Sequence, residues 1–123
     1  MPENLLVIDD EKGIVALCDR LLSRAGFTVK TATDPEDGLN ILDNESFDLL
    51  LVDIRMPKMD GLEAIGNIID INNKIPIIIN SAYSNYKDDF MSWAADAYVV
   101  KSSNLDDLKN TIKKVLKKKK TSA

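Results

Sequence analysis

The chain has 123 residues, of which 45% are hydrophobic and 29% charged, and its formal net charge is −4. This length and balance predict one globular domain with its own core and leave no room for two. The acidic balance argues against a general nucleic-acid binder, which needs a basic face. The sequence contains no histidine and one cysteine, Cys18, which excludes His-based zinc sites, His-based catalytic triads and an internal disulfide.

The first half of the chain alternates short apolar runs with amphipathic stretches. Residues 5–8 predict a strand that stops at Asp9 and Asp10. Apolar residues then recur at helical spacing up to a stop at Gly26, and this pattern places Cys18 on the buried face of the helix. A second strand is predicted over residues 27–32.

A second helix follows that strand. Either Thr33 or Asp34 is expected to cap it, with Pro35 at its first position. Three further apolar runs, at residues 49–52, 76–79 and 97–100, predict strands that lead into Asp53, Ser81 and Lys101 respectively. The helices predicted after them carry apolar residues at helical spacing: Leu62, Ile65, Ile68 and Ile69, then Phe90, Trp93, Ala94 and Ala95, and finally Leu105, Leu108, Ile112 and Val115.

Five strand–helix units with apolar strands predict a doubly wound α/β fold, in which helices cover both faces of a five-stranded parallel sheet. The carboxyl ends of such strands share one edge, where ligands bind. This edge would carry Asp9, Asp10, Asp53, Ser81 and Lys101. Three carboxylates repel one another and one lysine offsets a single charge, so a hard divalent cation such as Mg²⁺ is expected, together with phosphate.

The carboxylate that attacks phosphorus is expected to be Asp53, because it ends a central strand and opens a loop. Taken singly, these residues have simpler interpretations. An aspartate after a strand is often a helix N-cap, and a lysine is usually solvated. Their joint occurrence at strand ends favours a phosphoryl-acceptor site over coincidence.

The sequence resembles the receiver domain of two-component response regulators from Leu5 to about Leu116. The matching residues are Asp9-Asp10-Glu11, Asp53 with Met56-Pro57-Lys58-Met59-Asp60-Gly61, Ser81-Ala82, Tyr98 and Lys101. The resemblance implies a flavodoxin-like (βα)5 fold with strand order 2-1-3-4-5, a receiver domain over residues 1–118 and a basic C-terminal tail over residues 119–123. With no output domain after the last helix, a stand-alone receiver of the chemotaxis-regulator or sporulation-phosphorelay kind is expected.

The resemblance also implies a role for each metal ligand. Asp53 would accept a phosphoryl group from the phosphohistidine of a sensor histidine kinase. Mg²⁺, for which Mn²⁺ could substitute, would be held by Asp10, Asp53 and the backbone carbonyl of Arg55, and through water by Asp9. The protein would assist its own phosphorylation and dephosphorylation without acting as an enzyme on outside substrates.

The remaining roles concern the switch and its lifetime. Ser81 and Lys101 would bind the phosphoryl group, small Ala82 would keep the approach to Asp53 open, and Tyr98 would turn inward. Besides the kinase, the partner would be an unknown downstream protein, such as a histidine phosphotransfer protein. The protein would act in the cytoplasm and would bind neither nucleic acid nor a membrane.

Two features concern individual residues of this chain. Arg55 and Tyr83 are both large and are expected to guard the phosphoryl group against water, so that it is lost slowly. The family usually has proline after the lysine, whereas this chain has Ser102. The peptide before Ser102 is therefore expected to be trans, since a non-proline cis bond costs about 2.5–4 kcal/mol.

Three other function classes fit the sequence less well. A magnesium phosphohydrolase of the haloacid-dehalogenase type would have a second aspartate two residues after the nucleophile, where this chain has Arg55, and an insertion large enough for a cap. A degenerate receiver would lack some of Asp10, Asp53, Ser81 and Lys101. The lysine run at residues 117–120 suggests nucleic-acid binding, but basic residues at the end of a helix are more simply explained by the helix dipole and solvation.

Overall fold

The computed structural model describes residues 3–53, 66–68, 70, 74–81, 95–101 and 105–121. The strands are β1 (Asn4–Ile8), β2 (Thr28–Ala32), β3 (Leu49–Val52), β4 (Ile77–Ser81) and β5 (Ala97–Val100). The helices are α1 (Lys12–Arg24), α2 (Pro35–Asn44) and the C-terminal helix (Asp106–Thr121), and residues 66–68 and 70 are helical as well. Among the described residues, no helix has the length and apolar character needed to span a lipid bilayer.

All five strands pair in parallel, in the order β2-β1-β3-β4-β5. This confirms the predicted fold class and strand order. The register aligns the strand ends, because Ile8 at the end of β1 pairs with both Ala32 and Val52. On the other side, Ser81 pairs with Val100. The residues that follow β1, β3 and β5 therefore share one edge of the sheet.

The core lies on both faces of the sheet, as the continuous apolar strands predicted. One cluster lies on the α2 side and includes Ile8, Leu42 and Ile79. The other lies between the sheet, α1 and the C-terminal helix and includes Cys18 and Ile112. Each fully buried leucine or isoleucine among them contributes about 1.5–3 kcal/mol through burial. This packing fixes the strands whose ends carry the polar residues.

The helix ends follow the sequence signals closely. Gly26 adopts φ 102° just after α1, a left-handed conformation that glycine tolerates best. At the start of α2, the side chain of Asp34 accepts a hydrogen bond from the Glu36 N–H at 2.8 Å. Of the two candidate caps, Asp34 is therefore the one used, and Pro35 occupies the first helical position as predicted.

Several boundaries differ from the predicted ones. Strand β2 begins at Thr28, and β4 extends to Ser81 because the pairing with β5 continues to that residue. Ala95, placed in a helix by its spacing, lies in the connection before β5. The C-terminal helix continues to Thr121, past the boundary at residue 118, since lysine is a good helix former and its charge suits a helix C-terminus. The other residues of the third and fourth predicted helices lie largely outside the described part of the chain.

Close packing of α2 on β1 gives a first prediction, for Gly38→Ala. A Cβ at Gly38 would lie 2.6 Å from Ile8 Cδ1 and 2.8 Å from Ile8 Cγ1. Ile8 is buried in the core cluster on this face, so its side chain cannot swing out to solvent to make room. Overpacking costs about 1–3 kcal/mol and exceeds the gain of roughly 1 kcal/mol in helix propensity. Urea unfolding should therefore show a lower free energy of unfolding.

The matched control for that change is Gly13→Ala in α1. A Cβ at Gly13 meets no heavy atom within 4 Å, so this variant gains propensity without a clash. It should be as stable as the wild type or more so. Equal stability of the two variants would show that α2 does not need glycine to approach Ile8.

The buried thiol of Cys18 gives a second prediction. Burial, with a smaller contribution from the charge of Asp9, raises the pKa of Cys18 from 9.0 to about 11. The side chain is 1% exposed. A thiol-specific disulfide reagent at pH 8 should therefore react at least about 100-fold more slowly with native than with urea-unfolded protein, because both thiolate and access are lost.

The same shift makes a contribution to stability that depends on pH. The native pKa lies above that of the exposed thiol, so the native state holds this proton more tightly. The contribution is full below pH 9 and is lost as pH rises from 9 to about 11. Rapid modification of the native protein at pH 8 would contradict both statements.

Candidate functional site

Backbone pairing fixes the positions of two carboxylates at the edge of the sheet. The N–H of Asp9 donates to the Ala32 carbonyl at 3.1 Å, and the N–H of Asp53 donates to the Ile8 carbonyl at 3.0 Å. Each aspartate directly follows a buried strand, so its backbone is held by the sheet while its side chain projects beyond it. Both residues are buried, with 2% exposure for Asp9 and 4% for Asp53.

Lys101 joins these carboxylates from the end of β5. Its Nζ lies 2.7 Å from Asp9 Oδ2, 3.1 Å from Asp53 Oδ2 and 3.2 Å from Glu11 Oε1. The lysine side chain is largely buried, whereas that of Glu11 is more than half exposed. The side chains of Asp9, Asp53 and Lys101 therefore meet at the edge of the sheet, as the sequence predicted.

The ionisation of the pocket follows from burial and these contacts. Burial raises the pKa of Asp9, and this effect exceeds the opposing effects of Lys101 and of the Glu11 N–H, which donates to Asp9 Oδ1 at 3.0 Å. For Lys101, burial alone would lower the pKa, but hydrogen bonds to Asp9 and Asp53 outweigh it and raise the pKa. Lys101 is thus a cation at neutral pH.

The donor set fits a hard divalent cation. One carboxylate oxygen from each of Asp9, Asp10 and Asp53 lies within 4.8 Å of the other two. Opposite ligands of an octahedral Mg²⁺ are about 4.2 Å apart, so small side-chain movements or a bridging water would complete such a site. Although adjacent side chains usually diverge, the turn after β1 brings Asp9 and Asp10 to the same place. The residues present could therefore hold Mg²⁺.

The other predicted site residues are placed in part. Tyr98 is buried in the core on the α2 side, three residues before Lys101. Ser81 is the last residue of β4 and pairs with Val100, and the structure describes its backbone but not its side chain. Arg55, Ala82, Tyr83 and Ser102 lie outside the described residues, and the roles expected for them stay predictions.

Glu11 is the residue whose contact the sequence did not reveal. The matching motif includes it, but the resemblance assigns it no role. Its position next to two pocket aspartates is a signal in hindsight. The direction of its side chain, toward Lys101, depends on a neighbour 90 residues away in sequence.

Comparisons with known proteins agree with this geometry. Residues 5–113 match the family model of the response regulator receiver domain. The probable transcriptional regulator ycf27 of Guillardia theta is 35% identical over 118 residues, which cover 94% of this chain and 46% of that protein. The regulatory protein PhoP of Bacillus subtilis is 30% identical over the whole chain, which covers 52% of it. The chain thus spans about half the length of these two relatives.

Solved structures give the same result. The response regulator TrrA of Thermotoga maritima, crystallised with Mg²⁺ and BeF, is 42% identical, covers 91% of this chain and 97% of its own, and superposes with a TM-score of 0.85. TrrA in complex with the histidine kinase ThkA superposes with a TM-score of 0.84, covering 93% of this chain and 98% of that one. A CheY-like receiver domain of Methanospirillum hungatei covers the whole of both chains at 27% identity and a TM-score of 0.93. The fold, the acidic pocket and the family match together show that the chain belongs to the response regulator receiver domain family of two-component signalling.

Proposed function

We propose that this receiver accepts a phosphoryl group on Asp53 in the presence of Mg²⁺ and thereby changes the surface that it offers to a partner protein. The observation that supports the proposal best is the 3.1 Å contact between Lys101 Nζ and Asp53 Oδ2, beside three carboxylates whose oxygens lie within 4.8 Å of one another. Asp53 thus lies next to both the carboxylates that could bind a metal ion and the positive charge of Lys101.

The proposed donor is the phosphohistidine of a sensor histidine kinase. TrrA, which is 42% identical to this chain, forms a complex with such a kinase. An Asp53 carboxylate oxygen attacks phosphorus, the phosphorus–nitrogen bond of the donor breaks, and the imidazole leaves with the electron pair. The product is an aspartyl phosphate, and the phosphoryl group moves without a change in oxidation state.

The roles of the pocket residues follow from their positions. Asp9, Asp10 and Asp53 would hold Mg²⁺, and Mn²⁺ could take its place. The metal would supply charge neutralisation for the carboxylates and the phosphoryl oxygens. Lys101 stays protonated and can bind a phosphoryl oxygen, since it already lies within hydrogen-bond distance of Asp53.

The output of the switch would be a protein contact. Ser81 and Lys101 lie at the ends of paired strands β4 and β5, so a phosphoryl group that draws both residues inward would also shift Tyr98 and the surface beyond it. The chain would act in the cytoplasm with a downstream protein, such as a histidine phosphotransfer protein. It would not turn over outside substrates.

A small phosphodonor tests the proposal without knowledge of the kinase. Protein incubated with acetyl phosphate and Mg²⁺ should gain one phosphoryl group by intact-mass spectrometry, and EDTA should prevent the gain. Phosphoramidate serves as a second donor, which guards against a poor fit of acetyl phosphate. No incorporation from either donor with Mg²⁺ present, or equal incorporation in EDTA, would rule the proposal out.

A further inference from the structure

Three carboxylates surround the ammonium group of Lys101, which has three hydrogens to donate. Its Nζ contacts Asp9 at 2.7 Å, Asp53 at 3.1 Å and Glu11 at 3.2 Å. These contacts use the full donor capacity of the group. A phosphoryl group on Asp53 takes over the place of that carboxylate beside Lys101. Its oxygens can gain a further hydrogen bond from the ammonium group only if Asp9 or Glu11 gives up its own.

Glu11 is the carboxylate that can be displaced at the lowest cost. Its side chain is 56% exposed, whereas those of Asp9 and Asp53 are 3% and 5% exposed. A carboxylate that reaches water regains hydration when it loses a partner, while a buried one does not. The exchangeable contact of Lys101 is thus the one to Glu11.

The local backbone directs Glu11 to this position. It is the N-cap residue of α1, and its own N–H donates to Asp9 Oδ1 at 3.0 Å, while its carbonyl accepts from the Val15 N–H at 3.0 Å. Its side chain makes no capping hydrogen bond, in contrast to that of Asp34 at the start of α2. Both backbone groups of Glu11 are engaged and its side chain extends to Lys101.

We propose that Glu11 is a positioning residue that competes with the phosphoryl group for Lys101. In the resting protein Glu11 holds the ammonium group, and on phosphorylation it releases that group to the phosphoryl oxygens. The inference rests on the proposed function, because it names a further determinant of the same site. The residue acts through Lys101 and does not touch the reacting atoms.

Three variants separate this role from a simple effect of charge. Glu11→Gln removes the charge, and Glu11→Asp keeps it but shortens the side chain by one methylene, which breaks a contact of 3.2 Å. Glu36→Gln removes an equal charge from the exposed first turn of α2 and serves as the matched control. The positioning role predicts that both Glu11 variants behave alike and that the Glu36 variant resembles the wild type.

The first measurement uses metal-free protein and needs no phosphorylation. The ¹³Cε and ¹Hε NMR signals of Lys101, assigned with a Lys101→Arg reference, should shift in Glu11→Gln and Glu11→Asp and stay unchanged in Glu36→Gln. Unchanged signals in both Glu11 variants would overturn the inference, because they would show that Glu11 does not hold the ammonium group.

The second measurement is the affinity for beryllofluoride, a phosphoryl mimic, by calorimetry at saturating Mg²⁺. Both Glu11 variants should bind it about two- to fivefold more tightly, as expected for loss of a competing exposed ion pair. If only Glu11→Gln bound beryllofluoride more tightly, the effect would come from the net charge of residue 11 and not from its contact with Lys101, which would overturn the positioning role. If wild-type protein did not bind beryllofluoride, the proposed function would fail instead, and the Lys101 signals would still decide whether the contact exists.

Discussion

Asp53→Asn is expected to abolish phosphoryl incorporation, whereas Asp9→Asn and Asp10→Asn should slow it and leave the modification on Asp53. All three carboxylates lie in the same pocket, so position alone does not identify the one that accepts the phosphoryl group. The hydrogen-bond donors that already contact each carboxylate distinguish them. Both oxygens of Asp9 already have donors, Oδ1 from the Glu11 N–H and Oδ2 from Lys101. Asp10 is not among the carboxylates that contact Lys101 in the described part of the chain.

The amide introduced by Asp53→Asn would keep the shape of the acceptor but not its nucleophilic oxygen. Loss of Asp9, which is expected to act on the metal through water, should lower the rate by a factor of about 10–100, as for a group that supports a metal ligand. Loss of Asp10, which is expected to bind the metal directly, should lower the rate at least as much. Incorporation from acetyl phosphate with Mg²⁺ should be timed by intact mass for all four proteins, and the modified residue located by borohydride trapping and peptide mapping. Modification of the Asp53→Asn variant at Asp9 or Asp10 would contradict the assignment of the acceptor.

The parts of the site that the sequence could predict are those fixed by the sheet. A parallel sheet must bring the carboxyl ends of its strands to one edge, so Asp9, Asp53 and Lys101 could be placed together from the ends of apolar runs alone. Their distances, 2.7 and 3.1 Å from Lys101 Nζ, confirm that placement. The order of the strands was implied by the family resemblance alone, because hydrophobic periodicity does not determine which strands pair.

The parts that the sequence could not predict depend on side-chain direction. The spacing of Asp9 and Asp10 is compatible with divergent or convergent carboxylates, and only the turn after β1 decides between them. Glu11 could have capped α1 as Asp34 caps α2, but its side chain instead contacts Lys101, a residue 90 positions away in the sequence. The C-terminal helix continues to Thr121, into the predicted basic tail, because a lysine run is compatible with both a solvated tail and a helix terminus.

Lys101→Met is expected to lower the free energy of unfolding at pH 7, without metal, by about 3–5 kcal/mol, because it leaves buried carboxylates without their cation. Asp9 and Asp53 are both buried beside Lys101, and methionine has a similar length without charge. Lys109→Met is the matched control. Lys109 pairs with Asp106 at 3.9 Å on the surface, so this change should cost less than about 1 kcal/mol.

Acid should restore part of the stability lost in Lys101→Met. This direction of the pH dependence follows from the protonation of Asp9. Burial already raises the pKa of Asp9 above 3.8, and removing the opposing effect of Lys101 should raise it further. The native state then binds this proton more tightly than the unfolded state does. Its contribution to stability is full below the unfolded pKa and is lost as pH rises through the native pKa, so the variant should gain stability as pH falls from 7 through the raised native pKa of Asp9.

Two further measurements decide whether charge compensation is the cause. Urea unfolding with and without Mg²⁺ should show a larger stabilisation by Mg²⁺ in Lys101→Met than in the wild type, because the divalent ion replaces the missing cation. Adding Asp9→Asn to Lys101→Met should recover much of the loss, since the buried charge that lacks a partner is then gone. If Lys101→Met were as stable as Lys109→Met in metal-free buffer at pH 7, Lys101 would not be compensating the buried carboxylates. The pocket would then have to balance its negative charge by another contact.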